Sequence, residues 1–425
     1  MCGFKALVGD PGEQARGDLA VLDRMHSGVE GIGHRRFAPR AEAVEPFHVM
    51  RLLAQARDLE AAGRSIVHLE IGEPDFPTPS PILVAGQRAL AAGQTHYTPA
   101  AGLPALRQAI ADYYGQRYRV TVAPTRILVT PGASGALQLV FAALLEPGDR
   151  VLIGDPSYPC YRQVLRLMGV EPVAAPLGPE DDFQLTAARA AAAWTPGIRA
   201  VVVASPANPT GSVLSADTLA GLHALCRARG AALIVDEIYQ GLIYEACDET
   251  ALALESRDLY VINSFSKYFG MTGWRVGWIA APDASVELME RLAQNLFIAT
   301  NTPAQHAALA AFDAETLAII EERRETFRER RDRLLPALRE LGFVIPNRPA
   351  GAFYLYAGLP PQVTLDAMDF ATRLLTEAGV AVTPGQDFGA LAAGRHVRFA
   401  YTRDLHELDE GIRRLGDYLS GGVSG

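Results

Sequence analysis

From Ile66 to about Ala281, short apolar runs alternate with stretches whose apolar positions recur at helical spacing. RILVT, at 126–130, gives way to GASGALQLVFAALL. DRVLIGDPSY then precedes YRQVLRLMG, RAVVVASPANPTG precedes SADTLAGLHALCRARG, and ALIVDEIY and LYVINSFSK add two more strand-like runs. Apolar strands separated by helices predict an α/β architecture, a mostly parallel sheet covered on both faces. In such sheets ligands sit beyond the carboxyl ends of the strands. Polar residues stand at those ends: Asn208 after VVVASPA, Asp236 after LIV, and Ser264, Ser266 and Lys267 after YVIN. They are expected to meet in one crevice.

After Pro303 the pattern changes. ETLAIIEERRETFRERRDRLLPALRELG reads as a long helix with an apolar stripe of Ile319, Ile320, Phe327, Leu334 and Leu338. AFYLYAG and HVRFAYT read as strands. A second, smaller α+β domain is therefore expected, built from residues 39–71 and 303–425, beside a large domain at 72–302 and an extension at 1–38. No internal repeat or low-complexity linker is evident.

Composition narrows the function classes. Hydrophobic residues make up 49% of the 425, enough for a large core, and 20% are charged. The net charge of −9, without a basic cluster, argues against nucleic acid as a partner. The longest apolar runs are too short to span a bilayer, and the N-terminus has no long apolar segment of the secretory kind. Cys2, Cys160, Cys226 and Cys247 form no C-x-x-C pair, and the nine histidines no H-E-x-x-H. Neither metal binding nor a disulfide framework is expected, and the cytoplasm is the compartment that fits.

Lys267 stands among serines, glycines and aromatics in NSFSKYFGMTGWRVGW. A lysine acting as a nucleophile needs surroundings that lower its basicity. Ser264, Ser266 and Arg275 place hydroxyls and a guanidinium beside it, donors that suit a phosphate monoester. TPGASGALQ, between a strand and a helix, offers small residues and a helix N-terminus for the same anion. Read alone, it is also a tight turn. Asp236 ends a buried run, where a carboxylate is costly unless paired, and a pyridinium nitrogen would pair it. Its plainer reading is a helix cap, and that of Asn208 a turn before Pro209. With Tyr239, Asn208 can hydrogen-bond a phenolate oxygen on the same ring.

These motifs together resemble the class I/II aminotransferases of the pyridoxal-phosphate fold-type I superfamily, over nearly the whole chain from about Arg40 to Tyr418. SFSKYFGMTGWRVGW is similar to the family's lysine signature, SPANPTG to its asparagine motif and VDEIY to its Asp/Tyr motif. LEIGEPDFPTP and HYTPAAGLPALR are similar to its N-terminal motifs, and HVRFAY to its arginine strand. The resemblance implies pyridoxal 5'-phosphate as cofactor, joined to Lys267 as an aldimine. It implies that Asp236 keeps the ring nitrogen protonated, that Asn208 and Tyr239 hold the ring oxygen, and that Tyr158 stacks on the ring. Gly132, Ala133, Ser134, Ser264, Ser266 and Arg275 would hold the phosphate, with Tyr97 reaching it across a homodimer interface. Arg398 would grip the substrate carboxylate, helped by Gly72 and Asn208. The implied activity transfers the amino group of an L-amino acid to a 2-oxo acid in a ping-pong cycle.

Two features depart from the pattern. Residues 1–38 precede the family's usual start, and MCGF weakly resembles the opening of class II glutamine amidotransferases, where the cysteine after the initiator is the nucleophile. Some 36 residues are too few for a core of their own, so a vestige or flexible extension is expected. Ser134 stands where relatives that recognise acidic substrates with a lysine would carry it, and no second arginine for a distal carboxylate is evident. Both tilt the donor toward neutral or aromatic amino acids. A β-lyase of the same fold would keep the same lysine and aspartate, but KYFGMTGWRVGW is more similar to aminotransferases.

Overall fold

The computed structural model describes residues 37–254 and 256–421. Twelve strands run through it: β1 (Val67–His68), β2 (Ile127–Thr130), β3 (Arg150–Asp155), β4 (Glu171–Pro176), β5 (Ile198–Ala204), β6 (Ala232–Asp236), β7 (Leu259–Ser264), β8 (Gly277–Ala280), β9 (Tyr354–Gly358), β10 (Val380–Ala381), β11 (Thr383–Pro384) and β12 (His396–Ala400). Seven form the central sheet in the order β2-β8-β7-β6-β5-β3-β4, in which β8 alone runs against its neighbours. β2, β7 and β8 are buried at every position, which is why they read as unbroken apolar runs. The connecting helices begin and end where the sequence marks them. Ser215 caps helix Ala216–Arg229 by accepting from the Thr218 N–H, and Gly230 ends it in the left-handed region at φ +67°.

Two strands of this sheet fall outside the alternation. β8 follows β7 with no long helix between them, because an antiparallel neighbour needs no crossover. It therefore reads as the tail of the lysine stretch. β4 is an edge strand with Pro172 and Pro176, residues that only an unpaired edge tolerates.

The remaining strands form an antiparallel sheet in the order β11-β12-β9 and a parallel pair, β1 with β10. Helix Ala314–Glu340 packs beside them. Ile320, Phe327, Leu334 and Leu338 of its expected stripe are buried and Ile319 half-buried. The same helix buries Arg330, which grips both oxygens of Asp75 at 2.8 Å.

By compactness one unit ends at Ala43 and a second runs from Val44 onward. Of the first, the described part contains the short helix Pro39–Glu42. Cys2 and the amidotransferase-like opening lie outside the described residues. No described helix is long and apolar enough to cross a membrane.

Candidate active site

The parallel strands bring their carboxyl ends to one edge of the sheet, where a cavity of about 220 Å³ opens. Ala133 and Ser134 reach it after β2, Tyr158 after β3, Asn208 after β5, Asp236 from the end of β6 and Lys267 after β7. Gly72, Tyr354 from β9, Thr383 from β11 and Arg398 from β12 line it from the other sheets.

Lys267 is half-buried, and its Nζ donates to the Gly72 carbonyl at 2.7 Å. Burial pushes its ammonium down to about 8; nearby Arg398 and Arg275 act the same way, and Glu73 opposes them. Asp236 is 2% exposed. Burial pushes its carboxyl up to about 6, against hydrogen bonds from Tyr161 Oη at 2.6 Å and the Ile238 N–H at 3.1 Å. The base is thus biased toward its neutral form, and the acid has no cationic partner among the described residues. Tyr239 Oη lies 2.7 Å from Tyr354 Oη, and burial raises both phenols.

Arg398 is fixed from several sides. Nη1 donates to Asn208 Oδ1 at 2.9 Å, and Nη2 donates to the Glu70 carbonyl at 2.6 Å and to Thr383 Oγ1 at 3.2 Å. Its Cζ stands 4.3 Å from the Tyr354 ring centroid and 4.9 Å from that of Phe388, an arrangement that orients the guanidinium plane. Its buried Nε has no partner among the described residues. A fixed guanidinium with a donor to spare is suited to a carboxylate.

Four expected residues stand beside the cavity wall, linked in a chain. Gly132 adopts φ +70°, and a Cβ there would come within 2.5 Å of Arg275 Nη2. Arg275 Nη1 lies 3.4 Å from Ser266 Oγ, which is 2.9 Å from Ser264 Oγ. Helix Gly132–Leu144 starts here, so its free N–H groups and a guanidinium face one spot, as an anion requires. Tyr97 is not brought to the cavity; it is 82% exposed.

Several lining residues escaped the sequence reading. Tyr161, three positions after Tyr158 on one face of helix Pro159–Leu167, was findable from that spacing. Tyr354 was findable only as an inward position of the AFYLYAG run. Phe47, Val49 and Phe388 had no local signal. They meet because Asp387 accepts from the His48 and Val49 N–H groups at 2.8 and 2.9 Å, across more than 330 residues of chain.

The family described as aminotransferase class I and II matches residues 64–415. Valine–pyruvate aminotransferase of Mycobacterium tuberculosis is 39% identical over 385 residues, covering 90% of this chain and 98% of the relative. The (5-formylfuran-3-yl)methyl phosphate transaminase of Methanocaldococcus jannaschii is 36% identical, covering 88% and 97%. A crystal structure of an aminotransferase from Mycobacterium tuberculosis superposes with a TM-score of 0.87 at 38% identity, covering 91% of this chain and all of that one.

Proposed function

The chain belongs to the class I and II aminotransferase family, and from that premise we propose that it is a pyridoxal-phosphate enzyme moving the amino group of an L-amino acid to a 2-oxo acid in a ping-pong cycle. The observation that carries this reading is one cavity uniting Lys267, Asp236, Asn208 and Tyr239 from the carboxyl ends of β5, β6 and β7 with Arg398 from β12. The residues present fit the cofactor. Buried Asp236 is an anion short of a cation, as a pyridinium would provide. The chain of Gly132, Arg275, Ser266 and Ser264, with Ala133 and Ser134, offers backbone, hydroxyl and guanidinium donors for its phosphate. When bound, the cofactor supplies an electron sink for charge that develops at the substrate Cα.

The chain's own groups have distinct tasks. Asp236 holds the proton on the ring nitrogen. Asn208 and Tyr239 would hold the ring oxygen, and Tyr158 would lie against the ring. Arg398, with Asn208 and the Gly72 N–H, orients the substrate by its carboxylate. Lys267 Nζ, depressed toward neutrality by burial, is the base that takes the Cα proton. Phe47, Val49 and Phe388 shield the cavity from water.

For the substrate side chain we favour neutral or aromatic donors. Leu137, Ile238, Phe47 and Phe388 make much of the wall, and Ser134 supplies no charge there. The relatives differ from one another in their named substrates and are all transaminases, which weighs against the lyase alternative. We further place the enzyme in the cytoplasm as a homodimer with shared sites; the free thiols of Cys160, Cys226 and Cys247 accord with a reducing compartment. The test is spectroscopic. The purified protein should show a visible band that borohydride abolishes, with the reduced adduct mapped to Lys267. Phenylalanine, leucine or valine should bleach that band faster than aspartate. An adduct on any other lysine would overturn the assignment.

A further inference from the structure

Four consecutive backbone carbonyls, from Leu69 to Gly72, each accept a hydrogen bond from the site or its frame. Leu69 takes the Ala400 N–H at 2.6 Å. Glu70 takes Arg398 Nη2 at 2.6 Å and Thr383 Oγ1 at 3.0 Å. Ile71 takes Thr402 Oγ1 at 3.0 Å, and Gly72 takes Lys267 Nζ at 2.7 Å. Whatever fixes this strap fixes both cations of the cavity.

From Val67 to Glu70 the side chains alternate in direction, as along extended backbone. Val67 and Leu69 face helix Leu405–Ser420, where a Cβ on Gly411 would meet each at 3.2 Å. His68 and Glu70 face the other way. Glu70 is fully buried, and its Oε2 has no partner among the described residues. Its Oε1 lies 2.7 Å from His68 Nδ1, whose ring reaches Glu60 Oε1 with Nε2 at 3.1 Å. A buried carboxylate with one partner depends heavily on the charge of that partner.

We propose that His68 and Glu70 are positioning residues for the substrate-carboxylate site: protonated His68 neutralises buried Glu70 and so holds the strap whose carbonyl presents Arg398. This rests on the assignment of Arg398 to the substrate carboxylate. The groups facing His68 are Glu70, two residues further along the chain, and Glu60 on helix His48–Ala61. β10, paired alongside, carries no charge. Helix Leu405–Ser420 packs on the opposite face and turns Arg414 to Ser65. Besides His68, Arg398 stands near Glu70, at its backbone carbonyl.

The hydrogen bond to Glu70 raises the pKa of His68 above 6.5, with burial opposing. The stability from the pair is therefore fully present below the unfolded value and is lost as pH rises through the folded one. Affinity for carboxylates should fall in that direction.

The experiment titrates the holoenzyme with 3-phenylpropanoate, a carboxylate that lacks an amino group, from about pH 5.5 to about 8.5. Calorimetry gives its Kd, and steady-state kinetics give kcat and KM. The native Kd is expected to weaken about tenfold across this range. His68→Gln should hold the weak value throughout, and Glu70→Gln, whose amide needs no cation, should give a flat profile. KM should follow Kd in each case, with kcat moving less than about threefold. Native and His68→Gln profiles that coincide would overturn the proposal. So would variants that lose thermal stability or kcat with Kd unchanged. If instead Arg398→Ala binds the probe as tightly as the native enzyme, the carboxylate assignment itself fails.

Discussion

Asp236 illustrates how a buried charge can be held in readiness for a ligand. Its folded pKa near 6, against an ordinary 3.8, means that the cofactor-free folded protein binds more protons than the unfolded chain between those values. Stability must then decrease as pH rises through this window, by ~3 kcal/mol for about two units. A pyridinium beside the carboxylate offsets that loss. The rise in Tm on adding pyridoxal phosphate should therefore be larger near pH 7.5 than near pH 5, and Asp236→Asn should erase the difference. The same variant should keep the cofactor yet lose at least ~10²-fold in kcat, because its neutral amide gives the ring nitrogen no reason to hold a proton. Scanning calorimetry with and without cofactor checks the first expectation and single-turnover kinetics the second. Equal thermal shifts at the two pH values would show that Asp236 does not meet a cation.

The loop from β2 into helix Gly132–Leu144 makes a comparable demand on backbone. Gly132 needs φ +70°, and the guanidinium of Arg275 occupies the space where a Cβ would go. Gly132→Ala should displace Arg275 and add left-handed strain of about 1–2 kcal/mol. Spectral titration should then show pyridoxal phosphate bound at least ~10-fold more weakly, while the fold persists. Unchanged affinity would remove this loop from the phosphate site. That loop was legible in the sequence because strand, small residues and helix follow one another directly. The same holds for Asn208, Asp236 and Lys267, each placed at or just after the end of a largely buried strand. β8 was not legible, since a short antiparallel connection interrupts the alternation that marks the others. Phe47, Val49, Thr383 and Phe388 were not legible either, because their meeting depends on contacts such as Asp387 to His48, which no local periodicity encodes.

Tyr97 is the expected site residue that this chain does not bring to its own cavity. At 82% exposure it is conspicuous, and helix Ser80–Ala91 just before it exposes Leu83, Val84 and Leu90 as well. Thr302 Oγ1 donates to the His96 carbonyl at 2.6 Å, so the loop is tied down beside an exposed aromatic. Such a surface suits a second copy of the chain, whose Tyr97 would complete the neighbouring phosphate site. Isologous pairing makes this testable by mixing. Lys267→Ala and Tyr97→Ala proteins should each be nearly inactive as homodimers. In a hybrid, one site carries both lesions and the other neither. Joint refolding of equal amounts should thus restore roughly a quarter of the native sites, for half of the dimers are hybrids and each has one intact site. Mass measurement under native conditions confirms that hybrids have formed. If hybrids form and activity stays at the level of the parents, Tyr97 does not cross the interface, and a fully active monomer would remove the interface itself.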